Sequence, residues 1–208
     1  MPNWRILAAL AGLAVYAVLS HLLMTYWPAQ PWSVAVLFGP LLLGMAVAGV
    51  VRRQLRTLLI CGFLSSLLVL TLVQGGVSVN QLYLLQHAAF NAVLGWTFGS
   101  TLRPGSKPLI TALAERLHEH FSPDQAAYTR WLTGVWTLYF IGMILLSLVI
   151  YSLAPWSWWS LFCSVLTPLS ALTLFVGEHL LRYRRHPEFE RVTLAQAVRA
   201  YQNLSSAR

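Results

Sequence analysis

The sequence predicts an all-α integral membrane protein with six transmembrane helices arranged as three hairpins and two cytoplasmic amphipathic surface helices. Three observations predict it. Hydrophobic residues make up 57% of the chain and charged residues 10%, against about 45–50% and about 25% in soluble domains. Residues 6–51, 57–102 and 131–177 contain no charged side chain. Each of these stretches is interrupted near its middle by helix breakers: Pro28 and Pro31, Gly75 with Gly76, and Pro155. A helix of such length would extend roughly 69 Å at 1.5 Å per residue, and a hydrocarbon core is about 30 Å thick. Each stretch therefore holds two crossings and a tight turn.

The elements follow in chain order within one transmembrane domain covering 1–208. The first span, 6–27, is longer than a signal-peptide core and ends in Tyr26-Trp27-Pro28 rather than a small-residue cleavage site, so it is read as retained. The second and third spans are placed at 33–51 and 57–74, and the fourth at 81–100. A surface helix is expected over 107–121, where Leu109, Leu113, Leu117 and Phe121 recur every four residues opposite Glu115, Arg116, Glu119 and His120. Ser122-Pro123-Asp124-Gln125 reads as an N-cap, a first-turn proline and a capping-box glutamine. It starts a helix that runs through Tyr128 and Arg130 into the fifth span, 131–153. The sixth span is placed at 159–181. In the tail, Leu194, Val198 and Tyr201 share one face of a second amphipathic helix, 193–204.

Charge gives the orientation. All 14 lysines and arginines lie at the open ends of the hairpins, and the tips 28–32, 75–80 and 154–158 carry none. The positive-inside rule puts those basic ends, and both termini, in the cytoplasm. Trp27, Trp32, Trp156, Trp158 and Trp159 at the tips are expected to form an interfacial belt. The net charge of +8 is too sparse on so apolar a chain for nucleic acid, and membrane lipids are the expected partner. Cys61 and Cys163 fall at opposite depths and are expected to be small core residues rather than a disulfide.

Polar side chains inside spans are few and expensive. His87 and Asn91 share a face of the fourth helix, and His21 and His87 lie at matched depth, each 16 residues from a cytoplasmic arginine. Two such histidines are the minimum for one haem b; interhelical hydrogen bonding is the simpler use, and no cofactor is expected. Glu178 is the one carboxylate close to a span, with Arg182 at i+4 in the favourable order for a pair. Glu115, His118 and Glu119 share a helix face and are read as a solvated surface rather than a metal site. Asp124 is the only aspartate. No phosphate-binding glycine loop, CxxC pair or HExxH motif is present. The candidate binding residues are Arg103, Arg116, Tyr128, Arg130, Glu178 and Arg182 on the cytoplasmic face, with His21, His87 and Asn91 as the intramembrane polar set.

Several short runs carry a resemblance. They are Gln86-His87, Thr101-Leu102-Arg103-Pro104-Gly105 with Pro108-Leu109-Ile110-Thr111, Tyr128-Thr129-Arg130 with Thr133 and Trp136, Trp159-Ser160-Leu161-Phe162, and Glu178 with Arg182 and Arg184. Over roughly 80–205 the chain resembles a family of uncharacterised proteobacterial multi-pass inner-membrane proteins. Their genes often lie beside fatty-acid-like, aryl-polyene-type biosynthesis genes, and some members carry the label ketosynthase. The chain lacks the Cys-His-His set of a soluble ketosynthase, so the label does not transfer as an activity. The resemblance implies a bacterial inner-membrane setting and a helper that holds, transfers or exports a lipidic or acyl product, meeting acyl carrier proteins or acyl-pathway enzymes at its basic face. Two other classes stay open. One is an enzyme using Glu178, His179 and Arg130 on a lipid-linked or carrier-linked substrate. The other is a haem or quinone redox protein using His21 and His87.

Overall fold

The computed structural model describes residues 4–74, 78–116 and 121–185. They form helices and turns, with no strand among the described residues. The helices are α1 (Trp4–Tyr26), α2 (Pro31–Val51), α3 (Leu55–Gln74), α4 (Val79–Gly99), α5 (Leu109–Ala114), α6 (Pro123–Leu153), α7 (Trp156–Leu161) and α8 (Thr167–Arg185). A 3-10 turn, Ser100–Leu102, follows α4, and a π-helical segment, Phe162–Leu166, joins α7 to α8. The expected tail helix, 193–204, lies outside the described residues.

Four helical stretches are long and apolar enough to cross a membrane: Pro31–Val51, Leu55–Val73, Pro123–Leu153 and Trp156–Arg182. A shorter apolar stretch, Leu10–Tyr26, lies in α1. α4 is as long as α2 but carries Asn80, Gln81, Gln86, His87 and Asn91, which lower its hydropathy. The outer surface is that of a membrane protein. Val51, Val73 and Leu153 are 75%, 78% and 83% exposed, within continuous apolar faces that water would not tolerate.

The chain forms two compact units. The first comprises Met1–His87 and Ser147–Leu169. Its core is Leu23, Met24, Val34, Leu37, Tyr83 and Trp159. The aromatic groups there carry polar handles that are all used. The Tyr83 hydroxyl donates to the Pro28 carbonyl at 3.1 Å, Trp156 Nε1 to the Met24 carbonyl at 2.6 Å, and Trp159 Nε1 to Ser147 Oγ at 3.0 Å. Trp159 is fully buried and stacks on Trp156 with ring centroids 4.7 Å apart. The expected tryptophan belt is corrected accordingly. Trp27, Trp32 and Trp158 are exposed, but Trp159 is a core residue and Trp156 packs half-buried against it, and the N–H groups of both find partners inside the protein.

Two local devices in this unit follow from sequence. α2 ends in a Schellman motif: Gln54 N–H donates to the Gly49 carbonyl and Arg53 N–H to the Val50 carbonyl. The left-handed position is filled by Arg53, φ 51°, not by glycine. α3 then packs back on α2 so closely that a Cβ on Gly49 would lie 2.8 Å from the Leu58 side chain. The π-helical segment sits just before Pro168. Proline lacks the N–H that Ser164 would receive and its ring crowds that carbonyl, so the chain widens by one residue. The Thr167 hydroxyl then donates to the Phe162 carbonyl at 3.0 Å.

The second unit comprises Ala88–Leu146 and Ser170–Arg208. α6 opens with the capping box read from sequence: Gln125 N–H donates to Ser122 Oγ at 3.2 Å, and Ser122 N–H to Gln125 Oε1 at 2.8 Å. The turn after α4 is also as read. Ser106 N–H donates to the Arg103 carbonyl, Pro104 sits at the second position, and Gly105 has φ +80°, as a type II turn requires.

The surface helix expected over 107–121 is different. Among the described residues of that stretch only Leu109–Ala114 is helical; Glu115 and Arg116 form a turn, and residues 117–120 lie outside the described ones. α5 docks on α6 through threonines. Thr129, Thr133 and Thr137 recur every fourth residue on α6, and Thr133 and Thr137 each donate to the carbonyl four residues back at 2.8 Å. Thr129 donates to the Gln125 carbonyl at 2.8 Å. The Thr111 hydroxyl meets Thr129 Oγ1 at 2.8 Å, Ile110 N–H donates to Thr133 Oγ1 at 3.4 Å, and Leu109 N–H to Thr101 Oγ1 at 3.0 Å. Hydroxyls therefore satisfy the first N–H groups of α5, which a helix start leaves without intrahelical acceptors.

Candidate functional site

In the second unit, α6 and α8 position one charged cluster. The Tyr128 hydroxyl donates to Glu178 Oε1 at 2.9 Å, and Arg182 Nε lies 3.3 Å from the same oxygen. Arg182 also contacts His179 Nδ1 at 3.2 Å. A second polar bridge, Tyr139 to Ser170 at 2.9 Å, fixes the same pair of helices further along. The Glu178 side chain is 10% exposed and so needs both partners. A buried charge stripped of its partner is strongly destabilising, by about 3–5 kcal/mol. Three of the six candidate residues, Tyr128, Glu178 and Arg182, are thus brought together as an ordered ion pair with a phenol donor.

The other three lie elsewhere in this unit. Arg130 is exposed and donates from one terminal nitrogen to the Leu102 carbonyl at 2.8 Å, capping the 3-10 turn. Arg103, the next residue, folds back along α4, its guanidinium 5.3 Å from the centre of the Trp96 ring. Among the described residues neither arginine has an acidic partner. Lys107 does have one, pairing with Glu115. Arg116 is exposed in the turn after α5.

Beside Arg103 a cavity of about 400 Å³, open on one side, runs between α4 and α6. Its α4 wall is Asn91, Ala92, Gly95, Trp96 and Gly99; its α6 wall is Thr137, Ile141 and Ile144. Glycine makes the close approach possible: a Cβ on Gly99 would lie 3.0 Å from Thr137 Cγ2, and one on Gly95 3.5 Å from Phe140 Cβ. Asn91 is 2% exposed. The sequence reading named Asn91, but for its polarity in a span. It did not single out Gly95, Gly99 or Thr137. The signal available was the spacing Asn91, Gly95, Gly99 on one helix against Thr129, Thr133, Thr137 on another.

His21 on α1 and His87 on α4 belong to the first unit. His21 Nδ1 lies 2.9 Å from Ser160 Oγ, and that hydroxyl also reaches the His21 carbonyl at 3.2 Å. His87 Nε2 lies 3.3 Å from Thr167 Oγ1, with the ring edge-on to Trp159 and Phe162. Each imidazole is thus engaged by a hydroxyl on another helical segment. The cysteines are free thiols: Cys61 donates to the Leu42 carbonyl, and Cys163 packs on Met24. Among the described residues no three His, Cys, Asp or Glu side chains group as metal ligands. His118 and Glu119 lie outside the described residues, and Glu115 is taken by Lys107.

Comparison with known proteins adds no relative: no family model, curated protein or solved structure matches the chain.

Proposed function

We propose that the chain is a multi-pass accessory protein of the bacterial inner membrane that holds, transfers or exports a lipidic or acyl product, such as a polyene, together with cytoplasmic acyl-pathway enzymes. In this reading it spans the bilayer six times as three hairpins with both termini inside. Six long helical segments (α1 to α4, α6, and α7 with α8) support that count. So does the absence of lysine and arginine from the turns between α1 and α2 and between α6 and α7. The working face is the basic, cytoplasmic one, because the outer turns are too short and too uncharged to build a site.

The observation that carries a binding role is the division of labour among the charges of the second unit. Glu178 is already shared by Tyr128 and Arg182, so it ties α6 to α8. Arg103 borders an apolar groove and Arg130 is held at the Leu102 carbonyl, neither with an acidic partner among the described residues. Deletion of the gene followed by lipid and pigment profiling tests the proposal. A lost or mislocated lipidic product is expected; an unchanged profile under conditions where the gene is expressed refutes it.

A further inference from the structure

We propose that the groove between α4 and α6 is a binding site for an anionic phospholipid, with one acyl chain along the groove and the phosphate at Arg103 and Arg130. This rests on the lipid-holding reading above and names the ligand class. Length is the first argument. From Asn91 to Gly99 the α4 wall rises roughly 12 Å, and the 3-10 turn Ser100–Leu102 adds about 6 Å. The total is close to one leaflet of hydrocarbon, about 15 Å or half of a 30 Å core. The walls suit a chain: Ala92, Gly95 and Gly99 leave room, and Ile141 and Ile144 face it with methyl groups.

Charge is the second argument. The mouth carries Arg103, and the Arg130 guanidinium is held at the carbonyl of the residue just before it. Trp96 carries the Arg103 guanidinium on its ring face, 5.3 Å from the ring centre, a contact that uses none of its N–H donors. Two cations without an acidic partner among the described residues call for an anion. Phosphate offers oxygens in several directions, so two guanidinium groups, one from the turn after α4 and one from α6, can share it. Inorganic phosphate alone would leave the isoleucine walls uncovered. A lipid that merely surrounds the protein would meet these walls too, but would exchange freely and ignore head-group charge.

The test uses the full chain, purified, delipidated in detergent and titrated by native mass spectrometry with phosphatidylglycerol, phosphatidylcholine and palmitate. Phosphatidylglycerol should bind at least tenfold more tightly than the other two. Arg103→Gln should erase that preference. Ala92→Phe, at an exposed groove position, should lower occupancy by phosphatidylglycerol severalfold. Arg184→Gln, an exposed arginine away from the groove, should change nothing. A photoreactive acyl chain on phosphatidylglycerol should label wild-type peptides covering 88–103 and 137–146, which needs no variant to fold. Equal binding of phosphatidylcholine, preference for palmitate, equal loss with Arg184→Gln, or labelling elsewhere would overturn the proposal. If gene deletion alters the lipid profile while Arg103→Gln binds normally, the lipid-holding reading stands and this site falls. If the site binds as stated while deletion changes nothing, the lipid is structural and the functional reading falls.

Discussion

Thr133→Val isolates the device that holds α5 to α6. Thr133 is fully buried. Its Oγ1 accepts the Ile110 N–H at 3.4 Å and donates to the Thr129 carbonyl at 2.8 Å. Valine keeps the shape and deletes the oxygen. The Thr129 carbonyl keeps its helical N–H, so little is lost there. The Ile110 N–H sits in the first turn of α5, where no intrahelical acceptor exists. Leaving such a group unmet costs about 1–3 kcal/mol, and the long 3.4 Å contact puts the expected value near the lower end. For a chain of this size that lowers Tm by roughly 2–4 °C. Thr137→Val is the matched control: its hydroxyl makes the same back-bond but receives no α5 N–H, so its effect should stay within about 0.5 kcal/mol. The assay is thermal unfolding in detergent together with amide exchange at residues 109–111. Faster exchange at Ile110 in the Thr133 variant alone is expected. Equal effects of the two variants, or unchanged exchange in both, would refute the hydroxyl-docking account.

Three other outcomes are expected. Reporter fusions after residue 78 and after residue 208 should lie on opposite sides of the membrane, and the same side for both would break the hairpin arrangement. An absorbance scan of the purified protein should show no Soret band, since His21 and His87 are engaged by Ser160 and Thr167. A band lost in His21→Ala or His87→Ala would promote the redox class. Gly105→Ala should destabilise by about 1–2 kcal/mol, because an alanine at φ +80° places its Cβ against the following carbonyl. Unchanged thermal stability would contradict the type II turn that ends the Arg103 segment.

Local signals in this chain translated directly into structure. Ser122 and Gln125 are three residues apart and found each other as a capping box. Arg103-Pro104-Gly105-Ser106 contains its own turn chemistry. Glu178 and Arg182 lie one helical turn apart and pair. In each case both partners sit within four residues, so spacing alone determines the contact. What escaped sequence reading depends on partners far apart in the chain. The contact of Ile110 with Thr133 joins two helices, and Thr133 looks like any other small residue of an apolar span. α5 was read as a longer amphipathic helix because its leucine spacing is genuine. The docking of its first turn on threonine hydroxyls leaves no periodic trace. Trp156 and Trp159 were assigned to the membrane interface because tryptophan at a hairpin tip usually lies there. Their acceptors, the Met24 carbonyl and Ser147 Oγ, are 132 and 12 residues away. The groove was invisible for the same reason, since it arises from glycines on α4 facing residues of α6 rather than from a motif.

The central claim is that function sits on the cytoplasmic side, with Arg130 and Glu178, rather than among the intramembrane histidines. The most direct measurement is the lipid and pathway-product profile of cells in which the deleted gene is replaced by Arg130→Ala, Glu178→Ala or His87→Ala, at matched membrane abundance. The account predicts that the Arg130 and Glu178 variants shift the profile toward that of the deletion while His87→Ala stays near wild type. Wild-type profiles for the first two, with loss of function in His87→Ala, would contradict it.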